Sequence, residues 1–242
     1  MGSSQHATDV QLRQPVSAMP AGIMERYRKN RHWKLYEKEW IFRNFAPFGK
    51  TWLDFGCGTG ELTAQLALLG AAHVTSVDVT PGDMTQRRAE LDGVADRVRT
   101  ICGDITALAT EPVDVALAYA VLHHVPERLE EIIGTIVRWL KPGGVFVFCE
   151  PICYLPILEW ARSHSGVPRD PLDVGERKLT GLDLAVIESH FATAERVHFR
   201  ALARLDRVTP SFDHQLRRVD AILRHVPASS LVSGTVIGVC RK

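Results

Sequence analysis

The stretch TWLDFGCGTG, running from Thr51 to Gly60, decides how this chain folds. Thr51–Phe55 is a short apolar run of strand type. Gly56, Gly58 and Gly60 follow as a turn whose backbone admits positive φ and lets a ligand come close. Helical periodicity then runs from Glu61 to Leu69, and Gly70 ends it. A strand, a glycine turn and a helix open a βαβ unit. The spacing is GxGxG, and Glu61 and Leu62 break the dinucleotide fingerprint that a nicotinamide enzyme needs.

Outward from this unit the alternation continues. Strands are expected at His73–Asp78, Val98–Cys102, Val113–Tyr119 and Val145–Glu150. Helices are expected at Pro81–Leu91 and from Pro126 to Leu140, with a turn at Lys141-Pro142-Gly143-Gly144. Upstream, Tyr27–Phe45 reads as a helix bearing Trp33, Tyr36, Trp40 and Phe42, and Pro47 and Gly49 stop it. Residues 1–20 read as a mobile polar tail. Downstream, residues 151–180 hold four prolines and read as a lid inserted after strand five, with one short helix near Leu155–Ser163. Leu182–Phe191 and Ser211–His225 are helical, and Ala194–Arg200 and Thr235–Cys240 are strands. Residues 21–242 are thus expected to form a single domain with its core at 50–150.

Composition narrows the classes. Of 242 residues, 45% are hydrophobic and 24% charged, the mix of a globular core under a solvated surface. A net charge of +1 leaves no electrostatic footprint for nucleic acid. The five cysteines form no CxxC pair, which argues against a structural zinc site, and their odd number fits a reducing cytoplasm. MGSSQHATDV lacks an apolar signal core, and no run is long enough for stable membrane insertion.

Two further acids sharpen the glycine turn. Asp78 ends the next strand, where a carboxylate can accept both hydroxyl hydrogens of an adenosine ribose. Asp104 follows the third strand, where it can accept from an adenine amino group or cap a short helix. In an open parallel sheet these strand ends share one crevice.

LDFGCGTG, SVDV, CGDI, AYAVLHHVPE and LKPGG, in this order and spacing, resemble the class I S-adenosylmethionine-dependent methyltransferases of small molecules, the quinone-biosynthesis and natural-product types above all. The resemblance covers about residues 50–150. It implies a seven-stranded, mostly parallel, doubly wound α/β sheet whose last strand inserts antiparallel beside strand five. It implies S-adenosylmethionine as cofactor and S-adenosylhomocysteine as product. Gly56, Gly58 and Gly60 would line the methionine part, flanked by Asp54 and Cys57, the latter read mainly as a small residue in a crowded turn. Asp78 with Val79 would hold the ribose, Asp104 with Ile105 the adenine, and Tyr119 would border the site.

Methyl transfer from a sulfonium is an in-line displacement, so the protein mainly supplies alignment and a dry pocket. A base is needed only where the acceptor is protonated. Ala120–Val125 should face the reactive methyl, and it carries His123 and His124, which titrate near neutrality. His123 is either that base or a structural hydrogen-bonder, and His124 reads as structural. In an extended segment the two would point oppositely, so at most one of them reaches the substrate. Glu150 can orient the acceptor, orient a histidine or cap a turn. No metal is expected, because these residues lack compact ligand spacing. Tyr27, Trp33 and Tyr36 upstream, and Tyr154, Trp160, His164 and Arg169 in the insert, are candidates to cover the pocket.

The expected function is therefore O-methylation of a small, partly apolar metabolite. Carbon or nitrogen methylation is the near alternative, and a cofactor-binding protein without transfer activity is the distant one. The acidic cluster of catechol-type metal-dependent enzymes and the Asn-Pro-Pro-Tyr signature of DNA methyltransferases are both absent.

Overall fold

Among the described residues, seven strands form. The computed structural model describes residues 37–80, 82–157, 160, 164, 177–202, 212–223 and 225–242. The strands are β1 (Thr51–Phe55), β2 (His73–Asp78), β3 (Val98–Cys102), β4 (Val113–Tyr119), β5 (Leu140–Pro151), β6 (Thr193–Phe199) and β7 (Thr235–Arg241). The helices are α1 (residues 37–44), α2 (Glu61–Leu68), α3 (Asp83–Leu91), α4 (Leu129–Trp139), α5 (Gly181–Glu188) and α6 (Asp213–Leu223). The sheet order is β3-β2-β1-β4-β5-β7-β6. β1 pairs in parallel with β2 and with β4, and β2 with β3. β7 stands between β5 and β6 and pairs antiparallel with β6. The order reverses at β1, which has β2 on one side and β4 on the other. Such a switch point is where open α/β sheets bind ligands.

The chain forms two compact units, each assembled from separated stretches. The first holds residues up to 118, residues 135–147 and Lys242. Its β1 and β4 are buried almost throughout, with Trp52, Leu53, Ala116, Leu117 and Ala118 shut from solvent. That is why these strands read as continuous apolar runs rather than alternating ones. At their start, Asp114 accepts from Thr51 N–H and Oγ1 and from Lys141 Nζ, at 2.7–2.8 Å. Burial opposes its charge, but the Lys141 and Thr51 hydrogen bonds outweigh it and pull the carboxyl down to about 2.

The predicted turn at 141–144 lies inside β5. Gly143 does take φ +73°, yet Lys242 N–H donates to Gly144 O and Lys242 Nζ to Leu140 O, so the backbone on either side keeps partners. Helix α4 starts later than predicted, because Pro126–Arg128 forms a separate 3-10 turn.

The second unit holds residues 119–134 and 148–241. Phe148, Ile152, Leu179, Leu184, Ile187, Phe199, Val236 and Ile237 form its core. Gly238 is a packing requirement of β7: a Cβ there would lie 2.0 Å from the ring of Phe148. Helix α5 begins with a capping box between Thr180 and Asp183, and Asp183 is also gripped by both terminal nitrogens of Arg177. The tail at 1–20, the aromatic residues Tyr27, Trp33 and Tyr36, and Arg169 lie outside the described residues. Of the predicted helix in the insert, residues 155, 156, 157 and 160 are described; the last three are helical, and Leu155 lies outside the helix.

Candidate functional site

The glycine turn of the first unit is built from both sides. Gly56, Gly58 and Gly60 take φ of +73°, +51° and +74°, which bends the chain from β1 into α2. Gly60 is tight: an added Cβ would stand 2.7 Å from the Cα of Thr85. Gly58 is open, with nothing within 4 Å of where a Cβ would be. Arg88 of α3 donates to Thr59 O at 2.8 Å and fastens the turn from outside. Cys57 is buried beside the Thr85 hydroxyl, and burial pushes its thiol up to about 12, which removes it as a nucleophile.

Asp78 closes the turn. Its Oδ2 accepts from Gly58 N–H at 2.7 Å, and its Oδ1 accepts from Thr80 N–H and Oγ1 at 2.9 and 2.7 Å. Burial resists its ionisation, but these hydrogen bonds prevail and hold the carboxyl below its ordinary value. The result is a fixed anion at the end of β2 beside an exposed apolar side chain, Val79, which is 74% accessible. Asp104 caps the 3-10 turn Ile105–Ala107, accepting from Thr106 N–H and Oγ1. Ile105 is buried, so its side chain offers an adenine ring only a small area.

Asp54 differs from these acids. It is buried, and its Oδ2 accepts from Thr63 Oγ1 at 2.6 Å. Desolvation raises its carboxyl to about 6, against the opposing pull of the Thr63 hydrogen bond and the nearby Lys38 charge.

An open cradle at Gly58, a fixed anion at a strand end and an uncovered valine beside it suit an adenosyl cofactor. The helpers Thr63, Thr80, Thr85 and Arg88 were not singled out from sequence. Thr80 carried a signal, since Asx turns favour a donor two residues on; the others come from elements whose approach only the fold defines.

His123, His124, Glu150 and Tyr119 belong to the second unit. After β4 the chain turns through Ala120 at φ +56°, a left-handed conformation that costs a residue with a side chain about 1 kcal/mol. The turn aims two amides at one carboxylate: Val121 N–H and Leu122 N–H both donate to Glu150 Oε1 at 2.8 Å. Oε2 meets His123 Nδ1 at 2.7 Å. Glu150 is fully buried and His123 nearly so. The contact at Nδ1 leaves Nε2 as the ring nitrogen that Glu150 does not engage. Glu150 thus contacts the His123 ring and also collects the amides of the turn, the geometry of two of the three roles considered for it.

The expectation that His123 and His124 point oppositely is corrected. Leu122–His124 is a 3-10 turn, not an extended segment, and the two rings lie 4.1 Å apart. His124 is exposed and flanks His123. Tyr119 is half-buried at the end of β4. In the insert, Tyr154 Oη lies 2.8 Å from His198 Nε2, and Trp160 and His164 stack at 4.6 Å. Among the described residues no three His, Cys, Asp or Glu side chains gather to hold a metal ion. None of the described helices is long and apolar enough to cross a membrane.

The parallel sheet, its switch point and its glycine turn define the class first: an α/β protein of the doubly wound, cofactor-binding type. A family model for a methyltransferase domain matches residues 53–148. That stretch, less than half of the chain, is similar to a methyltransferase domain. It is 40% identical over 108 residues to a ubiquinone biosynthesis O-methyltransferase of Actinobacillus pleuropneumoniae serotype 7 (strain AP76), covering 42% of this chain and 45% of that one. It is 32% identical over 112 residues to phosphoethanolamine N-methyltransferase 1 of Triticum aestivum, covering 44% and 22%. The chain spans less than half the length of these curated relatives. Its fold is similar to that of the N-methyltransferase NodS from Bradyrhizobium japonicum WM9, solved with S-adenosyl-L-homocysteine. That match has a TM-score of 0.58 and 16% identity, and covers 98% of both chains.

Proposed function

We propose that this protein transfers a methyl group from S-adenosylmethionine to a hydroxyl of a small, partly apolar metabolite. The observation that carries the choice of oxygen is the Glu150–His123 pair. S-adenosylmethionine supplies a methyl group already activated on a sulfonium, so the chain has to align, dry and deprotonate the acceptor. A hydroxyl is a poor nucleophile until it loses its proton, and a buried histidine held by a carboxylate is suited to take it. In this reading the acceptor proton arrives at His123 Nε2, and Glu150 offsets the charge of the imidazolium that results. Gly56, Gly58 and Gly60 hold the methionine part of the cofactor, Asp78 its ribose, and Asp104 its adenine end. His124 flanks the base, and no metal ion takes part. The likeness to an O-methyltransferase supports oxygen. The likeness to N-methyltransferases makes nitrogen the second reading.

The test is His123→Gln, assayed by homocysteine release from the product with a panel of phenolic and aliphatic hydroxyl acceptors. Turnover should fall by roughly a hundredfold with cofactor affinity unchanged. The parent should lose rate on the acid side of the histidine titration, and the variant should show no such limb. Near-parent turnover of the variant at every pH would remove the base and favour an acceptor that needs none. Exhaustive chelation should leave the parent rate intact; loss with rescue by a divalent ion would overturn the metal-free reading.

A further inference from the structure

Exposed large apolar side chains concentrate on one part of the second unit, around α6. Val219 and Ile222 stand one turn apart on the same face, 41% and 69% exposed. Phe212 just before the helix and Val226 just after it are 58% and 46% exposed. Leu231 and Val232 are exposed in the 3-10 turn Pro227–Val232, which Ser229 ties back to α6 by donating to Leu223 O at 2.6 Å. The opposite side of the helix faces inward, where buried Asp220 accepts from Leu202 N–H at 2.7 Å. These apolar groups are therefore not the helix's core contact.

The sequence of this stretch is basic. Residues 200–226 carry six arginines against three aspartates, while the whole chain nets +1. One of those aspartates is Asp220, withdrawn from the surface. Arg218 and His225 are both exposed, beside the apolar stripe. An exposed apolar face edged by an arginine, on a helix of low overall hydrophobicity, is the make-up of an element that lies in a lipid interface. A lipid surface accepts an apolar face of any contour, whereas a protein partner has to match its shape.

We propose that the α6 face, Phe212, Val219, Ile222 and Val226 with Arg218 beside them, docks this protein reversibly on an anionic lipid surface. The side chains enter the headgroup boundary while Arg218 meets lipid phosphates, and nothing spans the bilayer. The inference stands apart from the methyl-transfer reading, since none of these residues belongs to it.

The test is co-sedimentation of the full chain with vesicles of phosphatidylcholine alone and of phosphatidylcholine with phosphatidylglycerol. Binding to the anionic vesicles should exceed binding to the neutral ones at least tenfold and should weaken as salt is raised. Ile222→Glu should abolish it, and Arg218→Glu should reduce it several-fold, with thermal unfolding of both variants near that of the parent. Should Ile222→Glu fold poorly, Arg218→Glu and the salt dependence decide. No binding, equal binding to both vesicle types, or binding unmoved by either substitution would overturn the proposal. So would a parent dimer in sedimentation velocity that Ile222→Glu dissolves, because a second copy would then cover the face.

Discussion

Gly58 and Gly60 share a left-handed backbone but answer to different neighbours, and substitution should separate them. A Cβ on Gly60 meets the backbone of Thr85, so Gly60→Ala has to push α3 away from the turn. It should lower the midpoint of thermal unfolding by several degrees. A Cβ on Gly58 meets no protein atom, so Gly58→Ala costs the fold only its left-handed strain, about 1 kcal/mol. Cofactor binding should suffer instead, read by calorimetry as a loss of tenfold or more. If Gly58→Ala binds like the parent, the open space beside this residue is not where the cofactor lies. Asp78 calls for the gentler substitution. Asp78→Ala would also free Gly58 N–H and Thr80, whereas Asp78→Asn keeps one acceptor oxygen. Asp78→Asn should weaken cofactor affinity by on the order of 2 kcal/mol with the fold kept. The glycine turn and the acid that closes it were legible in the sequence because their spacing is local and both stand at strand ends. Thr85 and Arg88 were not, because a side chain that reaches the turn from α3 leaves no local mark.

At the scale of elements, strands and helices declared themselves wherever burial was continuous, as in β1 and β4. They were misjudged where a distant residue set the backbone. The 3-10 turn at Leu122–His124 exists because Glu150, 27 residues beyond His123, collects the amides of Val121 and Leu122. Nothing in LHHV alone says so. The strand β5 runs through Pro142 and Gly143 because Lys242, at the far end of the chain, pairs with it. Helix α5 shows the reverse, since its capping box lies within four residues. Asp183 there accepts from Thr180 N–H and Oγ1 and from Arg177. The Arg177 hydrogen bonds, against burial, hold its carboxyl at about 2. An acid whose pKa is lowered on folding stabilises the fold above its unfolded value near 4, and that contribution disappears as pH falls through about 2. Asp183→Asn should therefore cost about 2 kcal/mol at pH 7 and almost nothing at pH 2, as measured by urea unfolding. A loss equal at both pH values would mean that capping geometry, not charge, carries the effect.

For the molecule as a whole, the acids divide into two groups that act oppositely on stability. Asp114 and Asp183 are held low and favour the fold at neutral pH. Asp54 is raised from 3.8 to about 6, chiefly by burial, and opposes it. Between those two values the folded chain keeps a proton at Asp54 that the unfolded chain has released. Its contribution is therefore fully present below about pH 4 and is lost as pH rises through about 6. At neutral pH the ionised Asp54 costs the fold roughly 3 kcal/mol relative to its neutral form. Asp54→Asn, which can still accept from Thr63 Oγ1, should stabilise the protein at pH 7 by up to that amount and leave it unchanged near pH 4. Such a cost at the base of the glycine turn fits a site that stores instability for a ligand. S-adenosylmethionine is a net cation at neutral pH, and its arrival near the turn would favour the ionised form. The parent should then bind it more weakly as pH falls below about 6, because binding must expel the proton from Asp54. Asp54→Asn should bind more weakly at pH 7 and lose that pH dependence. Calorimetry at pH 5, 6 and 7.5, paired with thermal unfolding at the same values, separates the two effects. A variant that is more stable but binds with the parent's affinity and pH dependence would make Asp54 a purely structural acid and leave its cost without a functional return.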